Sequence, residues 1–202
     1  NNNADNRLIT GSGTANTLNG ESNAIIDSSG HMGLGVTPNT NLPSNADFKF
    51  LQVGTGASLF GRGSGDEDRG GIAVNYYHTG SAEKYLGNGN SSGIILGDGD
   101  IDLFTAGSNS SGANAAMSKT IAMRIDSSGR VGINTSSPAK KLDVIGDIRT
   151  STGILFGSDT AAANALDDYE EGTWTPTFDG NAATNTSNNC RYIKIGNVVH
   201  CF

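Results

Sequence analysis

The chain has 202 residues with 29 glycines, 35% hydrophobic and 6% aromatic residues, and a formal charge of −7. That balance excludes a basic nucleic-acid surface, since phosphate contact needs clustered Lys and Arg, and no apolar run reaches the roughly 18 residues of a spanning helix. At about 25 cal/mol per Å² of apolar burial, so few large apolar side chains struggle to offset roughly 1–2 kcal/mol of backbone entropy per residue. Disorder is disfavoured, because only 16% of residues are charged and strand-forming runs such as Ile94-Ile95-Leu96 and Ile121-Ala122-Met123-Arg124-Ile125 recur. Burial shared between several copies of the chain is the expected outcome.

In chain order, residues 1–24 read as a β segment of a longer polypeptide, which here starts Asn1-Asn2-Asn3 without methionine. Residues 25–54 and 125–150 are two copies of an internal repeat: IDSSGHMGLGVTP at 26–38 and IDSSGRVGINTSSP at 125–138. Asp27 and Asp126 open a tight turn, and Gly30 and Gly129 are the positions expected at positive φ. Gly33 and Gly132 leave one strand face bare, which suits close approach by another backbone near a three-fold axis. Pro38 and Pro138 stop the strand. Each copy then enters a strand closed by glycine, Phe50–Gly54 and Leu142–Gly146. His31 occupies the variable position that Arg130 fills in the second copy, and is expected to face solvent.

Residues 55–124 read as a central antiparallel β module. Its strands are expected at 58–60, 72–77, 84–86, 93–96, 101–104 and 119–125, with an exposed polar loop over 108–118. Residues 151–172 form a junction with one short helix near 159–171, capped by Ser158-Asp159-Thr160 and stopped by Gly172. Ala162, Leu166 and Tyr169 would form its apolar stripe. Residues 173–202 open a β-sandwich-like module that is expected to be cut short, with a hairpin over 192–200 turning at Gly196-Asn197. Cys190 and Cys201 are too few for a disulfide framework and read as free thiols.

No catalytic residue, metal ligand or cofactor site is expected. Asp98-Gly99-Asp100-Ile101-Asp102 alternates three carboxylates, but no later Glu completes a calcium loop, so a charged turn and edge is the reading. Asp66-Glu67-Asp68-Arg69 holds adjacent carboxylates in a glycine-rich loop, without the separation glycoside hydrolysis requires. His31, His78 and His200 share no metal-ligand spacing. The candidate ligand contacts are aromatic: Tyr76, Tyr77 and Tyr85 could stack on sugar faces if exposed, with Trp174 and Tyr192 as weaker candidates.

The repeat resembles the pattern G-x-[apolar]-G-[apolar]-G-T-x-x-P followed by L-x-V-x-G that is frequent in phage tail fibres. It does so through Gly129-Arg130-Val131-Gly132-Ile133-Asn134-Thr135 with Pro138, and through Met32-Gly33-Leu34-Gly35-Val36-Thr37-Pro38. Asn134 stands where the pattern has glycine. The stretch from Leu155-Phe156-Gly157 through Asp167-Asp168-Tyr169-Glu170-Glu171-Gly172-Thr173-Trp174-Thr175-Pro176 is similar to a junction common in phage structural proteins. The resemblance implies a mainly β, elongated and segmented homotrimeric fibre of a bacteriophage virion, assembled in the host cytoplasm and serving host attachment. Its implied partners are its own copies, other tail proteins and a host surface glycan, with no nucleic acid and no membrane insertion. A tailspike-like polysaccharide depolymerase and a capsid or head decoration fibre are the alternatives.

Overall fold

The structure is a computed structural model that describes residues 7–15, 17–44, 47–62, 69–158, 160–161, 165–166, 168–174, 177–178, 181–182 and 190–202. The described chain is mainly β and divides into two units, residues 1–146 and 147–202. No helix is found among the described residues.

The first unit holds β1 (Arg7–Gly11), β2 (Leu18–Ile26), β3 (Met32–Leu34), β4 (Phe48–Val53), β5 (Ala57–Arg62), β6 (Arg69–Val74), β7 (Tyr77–His78), β8 (Glu83–Lys84), β9 (Gly89–Gly97), β10 (Asp100–Asn109), β11 (Lys119–Ile125), β12 (Val131–Ile133) and β13 (Leu142–Val144). Eleven of these hydrogen-bond into one sheet, in the order β1-β2-β3-β4-β5-β6-β9-β10-β11-β12-β13. The segments expected as separate modules, from the N-terminal stretch through the second repeat, are therefore continuous through backbone pairing.

The turns of the two repeats make matching hydrogen bonds. In the first, Asp27 Oδ1 accepts from the backbone N–H of Ser29 (2.9 Å) and His31 (2.8 Å), and in the second Asp126 Oδ1 accepts from Ser128 (3.0 Å) and Arg130 (2.9 Å). Gly30 and Gly129 take φ of 79° and 66°, as the turn demands. Lys49 and Lys141 cap the turn carbonyls of Ser29 and Ser128. The short returning strand then pairs in parallel with the next, β3 with β4 and β12 with β13. Asn134 has φ 57° where Gly35 has 68°, which explains how the second copy dispenses with that glycine: Asn tolerates the left-handed region.

Two expectations about the repeat are corrected. A Cβ on Gly33 would lie 2.0 Å from the Val36 carbonyl oxygen, and one on Gly132 would lie 2.5 Å from that of Thr135. The backbone that closes on these glycines belongs to the same chain, as the crossover folds back over the strand. His31 is buried (1% exposed), with Nε2 2.8 Å from the Pro43 carbonyl and Nδ1 accepting from Phe50 N–H at 3.3 Å. It pins the first crossover, a task Arg130 does not share; Arg130 instead pairs with Asp126.

Strict alternation in the central strands puts Phe48, Phe50, Phe60, Ala73, Ile95 and Phe104 on one face. Segments 39–44, 75–88 and 111–118 supply the cover through Leu42, Tyr76, Tyr77, Leu86 and Met117. Phe50, Phe60, Tyr76 and Phe104 form a ladder with ring centroids 5.3–5.6 Å apart. The polar stretch at 108–118 is exposed in part but tied down: β10 runs on to Asn109, Asn114 and Ala115 exchange backbone hydrogen bonds with Tyr85, and Met117 N–H donates to Glu83.

The second unit holds β14 (Tyr169–Thr173), β15 (Thr177–Phe178), β16 (Asn181–Ala182), β17 (Arg191–Ile195) and β18 (Val198–Cys201). The sheet order is β14-β17-β18, with β15 and β16 paired separately. The expected helix near 159–171 is corrected where it can be read: Leu166 bridges to Ile154, and Tyr169–Glu171 are strand. Residues 159, 162–164 and 167 lie outside the described residues. Gly172 is no helix stop. The Tyr192 ring crosses it so closely that a Cβ would sit 2.6 Å away. The hairpin is found as expected, with Gly196 at φ 57° in the first central position of the turn, where a type II′ turn takes glycine.

Candidate functional site

Among the carboxylates, structure assigns charge balance. Asp98 (φ 55°) and Gly99 (φ 79°) form the two-residue turn between β9 and β10, the pattern of a type I′ hairpin. Asp100 and Asp102 project on one face, and Arg124 from β11 reaches both. Its Nε and second guanidinium nitrogen each lie 2.6 Å from an Asp102 oxygen, and a third contact to Asp100 is 3.3 Å. A guanidinium thus fills the place a cation would take, and no metal-ligating group of three occurs among the described residues. The Asp102 hydrogen bonds are the largest influence on Arg124, raising its already high pKa. Arg124→Ala would leave two carboxylates unpaired, and is expected to cost about 3 kcal/mol. Asp102→Asn in the same chain should recover part of that loss, as read by urea unfolding.

The three candidate tyrosines are buried: Tyr76 and Tyr77 at 0% and Tyr85 at 6% exposure. A ring without an open face cannot stack on a sugar, so their role is packing and support. Tyr77 donates to Asn114 Oδ1 (2.6 Å), which holds the 111–118 segment in place, and Tyr85 donates to the Gly107 carbonyl of β10 (2.7 Å). Burial, followed by the nearby Glu83 carboxylate, raises the Tyr76 pKa far above its ordinary value. Asp66 and Asp68 lie outside the described residues.

His78 is buried beside Phe48, with ring centroids 4.9 Å apart, and its Nδ1 accepts from Gly80 N–H at 2.9 Å. Desolvation, then Arg69, lowers its pKa; Lys119 and Arg62 act the same way, while Glu83 opposes them. The unfolded chain therefore binds a proton more readily than the folded one, and stability falls as pH drops through the ordinary histidine range. Thermal melts should show this loss between about pH 7 and about pH 5. His78→Asn, which keeps an acceptor for Gly80, should flatten the profile.

The side of the central sheet opposite the aromatic core has no cover among the described residues of the first unit. Register places Met32, Leu51, Leu59, Ile72, Ile94, Leu103, Met123, Ile133 and Val144 in one row across nine strands. Two residues along, Val53, Val74, Leu96 and Ile101 flank that row. Eight of these side chains, Val53, Leu59, Ile72, Val74, Ile94, Leu96, Ile101 and Leu103, are 36–64% exposed. Completing their burial would release about half of the 1.5–3 kcal/mol each is worth, on the order of 6–12 kcal/mol per chain. Monomeric proteins rarely leave so continuous an aliphatic surface in water.

A second feature is a cavity of about 500 Å³ at one end of the sheet, lined by Val36, Thr37, Asn39, Gln52, Thr55, Gly56, Val74, Asn75, Leu86, Gly87, Asn88 and Asn90. None of the twelve carries a charge. Asn75, at φ 54°, builds its wall: Oδ1 accepts from Gly87 N–H (2.7 Å), and Nδ2 donates to the carbonyls of Asn88, Gly89 and Asn90. Sequence reasoning passed over these amides because they sit in turns. The aliphatic face had a signal: in Ile94-Ile95-Leu96 consecutive apolar residues point to both sides, the mark of a strand buried on both faces.

No protein-family model matches the chain, and no curated protein matches it.

Proposed function

We propose that this chain is a structural segment of a homotrimeric bacteriophage virion fibre, of the tail-fibre kind, assembled in the host cytoplasm and contributing to host attachment. The observation that supports this reading is the aliphatic face, exposed among the described residues and continuous across the central strands, as expected of a surface buried between copies. The glycine repeats on either side of the central strands and the junction after them supply the fibre reading, through the resemblance of their residues. The number three comes from that resemblance. The face itself argues for self-association in a closed, symmetric assembly. Other tail proteins are the expected partners at the ends of the segment.

Light scattering on the purified chain, with its native flanking sequence, tests the assembly, and a stable folded monomer would remove its basis. Antibodies raised against the chain then locate it on intact virions by electron microscopy. Label on tail fibres supports the proposal, and label on the head makes it a decoration fibre. New reducing ends released from host polysaccharide would turn the reading to a depolymerase.

A further inference from the structure

The cavity beside Asn75 is lined by an accessible side-chain amide nitrogen that has no protein partner among the described residues. Gln52 is 3% exposed, and its Oε1 accepts from Asn39 N–H at 2.9 Å. That bond fixes which end of the amide is oxygen, so the Nε2 end lines the cavity with two N–H donors and no acceptor among the described residues. Because that nitrogen opens into the cavity, its two N–H groups are free to donate to solvent or to a ligand bound there. Asn88, also in the lining, engages its Oδ1 with Gly112 N–H (2.8 Å), so its remaining capacity is likewise for donation. The hydroxyls of Thr37 and Thr55 add groups that both donate and accept, while Val36 and Leu86 supply an apolar wall.

We propose that this cavity is a binding site for a neutral, hydroxyl-rich ligand of about one sugar ring. Three features of the lining select that class. Its lack of charge gives no counter-ion for a carboxylate, phosphate or amine, any of which would lose hydration without a partner. Its donors ask for ether, hydroxyl or carbonyl oxygens. Its combination of amides with aliphatic carbons matches a pyranose, which presents oxygens around its edge and C–H groups on its face. The volume lies within the roughly 300–1,000 Å³ of small-molecule sites. The inference deepens the attachment role proposed above and rests on it for biological meaning. Val74 lines the cavity and also flanks the aliphatic face, so binding is measured in the Ile72→Glu/Ile94→Glu chain as well as in the wild type, which separates failure of binding from failure of self-association.

The test is ligand-observed NMR followed by calorimetry, using glucose, galactose, mannose and N-acetylglucosamine as probes, with glucuronate as the charged control. At least one neutral probe should bind in roughly the millimolar range expected of a single ring, with an affinity unchanged by salt because no ion pair forms. Gln52→Glu keeps the acceptor for Asn39 and removes the donor, and should weaken binding at least tenfold. Because an acid introduced at Gln52 can unfold the chain, Thr55→Trp is the second variant: Thr55 is exposed, and the indole should block the cavity in a folded protein. Binding by none of the neutral probes overturns the proposal. So does equal binding of glucuronate, or neutral-sugar affinity within twofold of wild type in Thr55→Trp.

Discussion

Replacing Ile72 and Ile94 together by Glu is expected to convert the proposed assembly to a folded monomer. The two residues are direct cross-strand neighbours at the centre of the aliphatic row, on β6 and β9, and in a single chain they are 64% and 46% exposed. Their side chains contribute little to the core on the other side of the sheet, so the chain should keep its β signature in circular dichroism. Between copies the effect is large. Each Glu would have to shed its hydration or take up a proton, at a cost of several kcal/mol per buried carboxylate. The cost is repeated in every copy, and the apolar burial at both positions is lost as well. Light scattering should report the mass of one chain at concentrations where the wild type is assembled. An assembly of wild-type mass would show that this face is not the contact, and the fibre proposal would lose its main support.

The turns and most strands of the first unit could be read from residues alone, because their causes are local. Asp27, Gly30 and their counterparts Asp126 and Gly129 do what their types do in isolation: accept neighbouring N–H groups and take positive φ. The alternation through β4, β5 and β10 is equally local. What failed was set by contacts distant in sequence. Whether Tyr76 faces solvent depends on Phe60 and Phe104, and His31 is buried because the crossover brings Pro43 over it. The 159–171 stretch has helical composition, but Tyr169–Thr173 pairs with Arg191–Ile195, where Tyr192 packs over Gly172, and tertiary pairing overrides a weak local preference. The cavity escaped notice for a related reason. Asn39, Gln52, Asn75 and Asn88 each look like ordinary turn or strand residues until the fold gathers them at one end of the sheet.

Gly33→Ala is expected to destabilise the single chain by about 3 kcal/mol, lowering the melting temperature by roughly 6–12 °C. The added methyl would meet the Val36 carbonyl oxygen at 2.0 Å and the Pro38 ring at 3.0 Å. Relief requires that carbonyl to retreat, yet the crossover is held on both sides of it: Gly35 N–H donates to the Asn23 carbonyl at 2.7 Å, and Pro38 is buried. Gly132→Ala meets the Thr135 carbonyl oxygen at 2.5 Å and should behave alike, somewhat less severely. Gly107→Ala is the control, since a Cβ there has nothing within 4 Å and the backbone is not at positive φ; its effect should stay within about 0.5 kcal/mol. The informative measurement places each alanine in the Ile72→Glu/Ile94→Glu background. If the repeat glycines admit only their own crossover, the loss of stability persists in a monomer. If they serve approach between chains at a shared axis, it disappears there and the alanines act instead on assembly in the wild type. The contact distances favour the first result, which makes the repeat a self-locking turn and leaves the aliphatic face as the surface proposed for association.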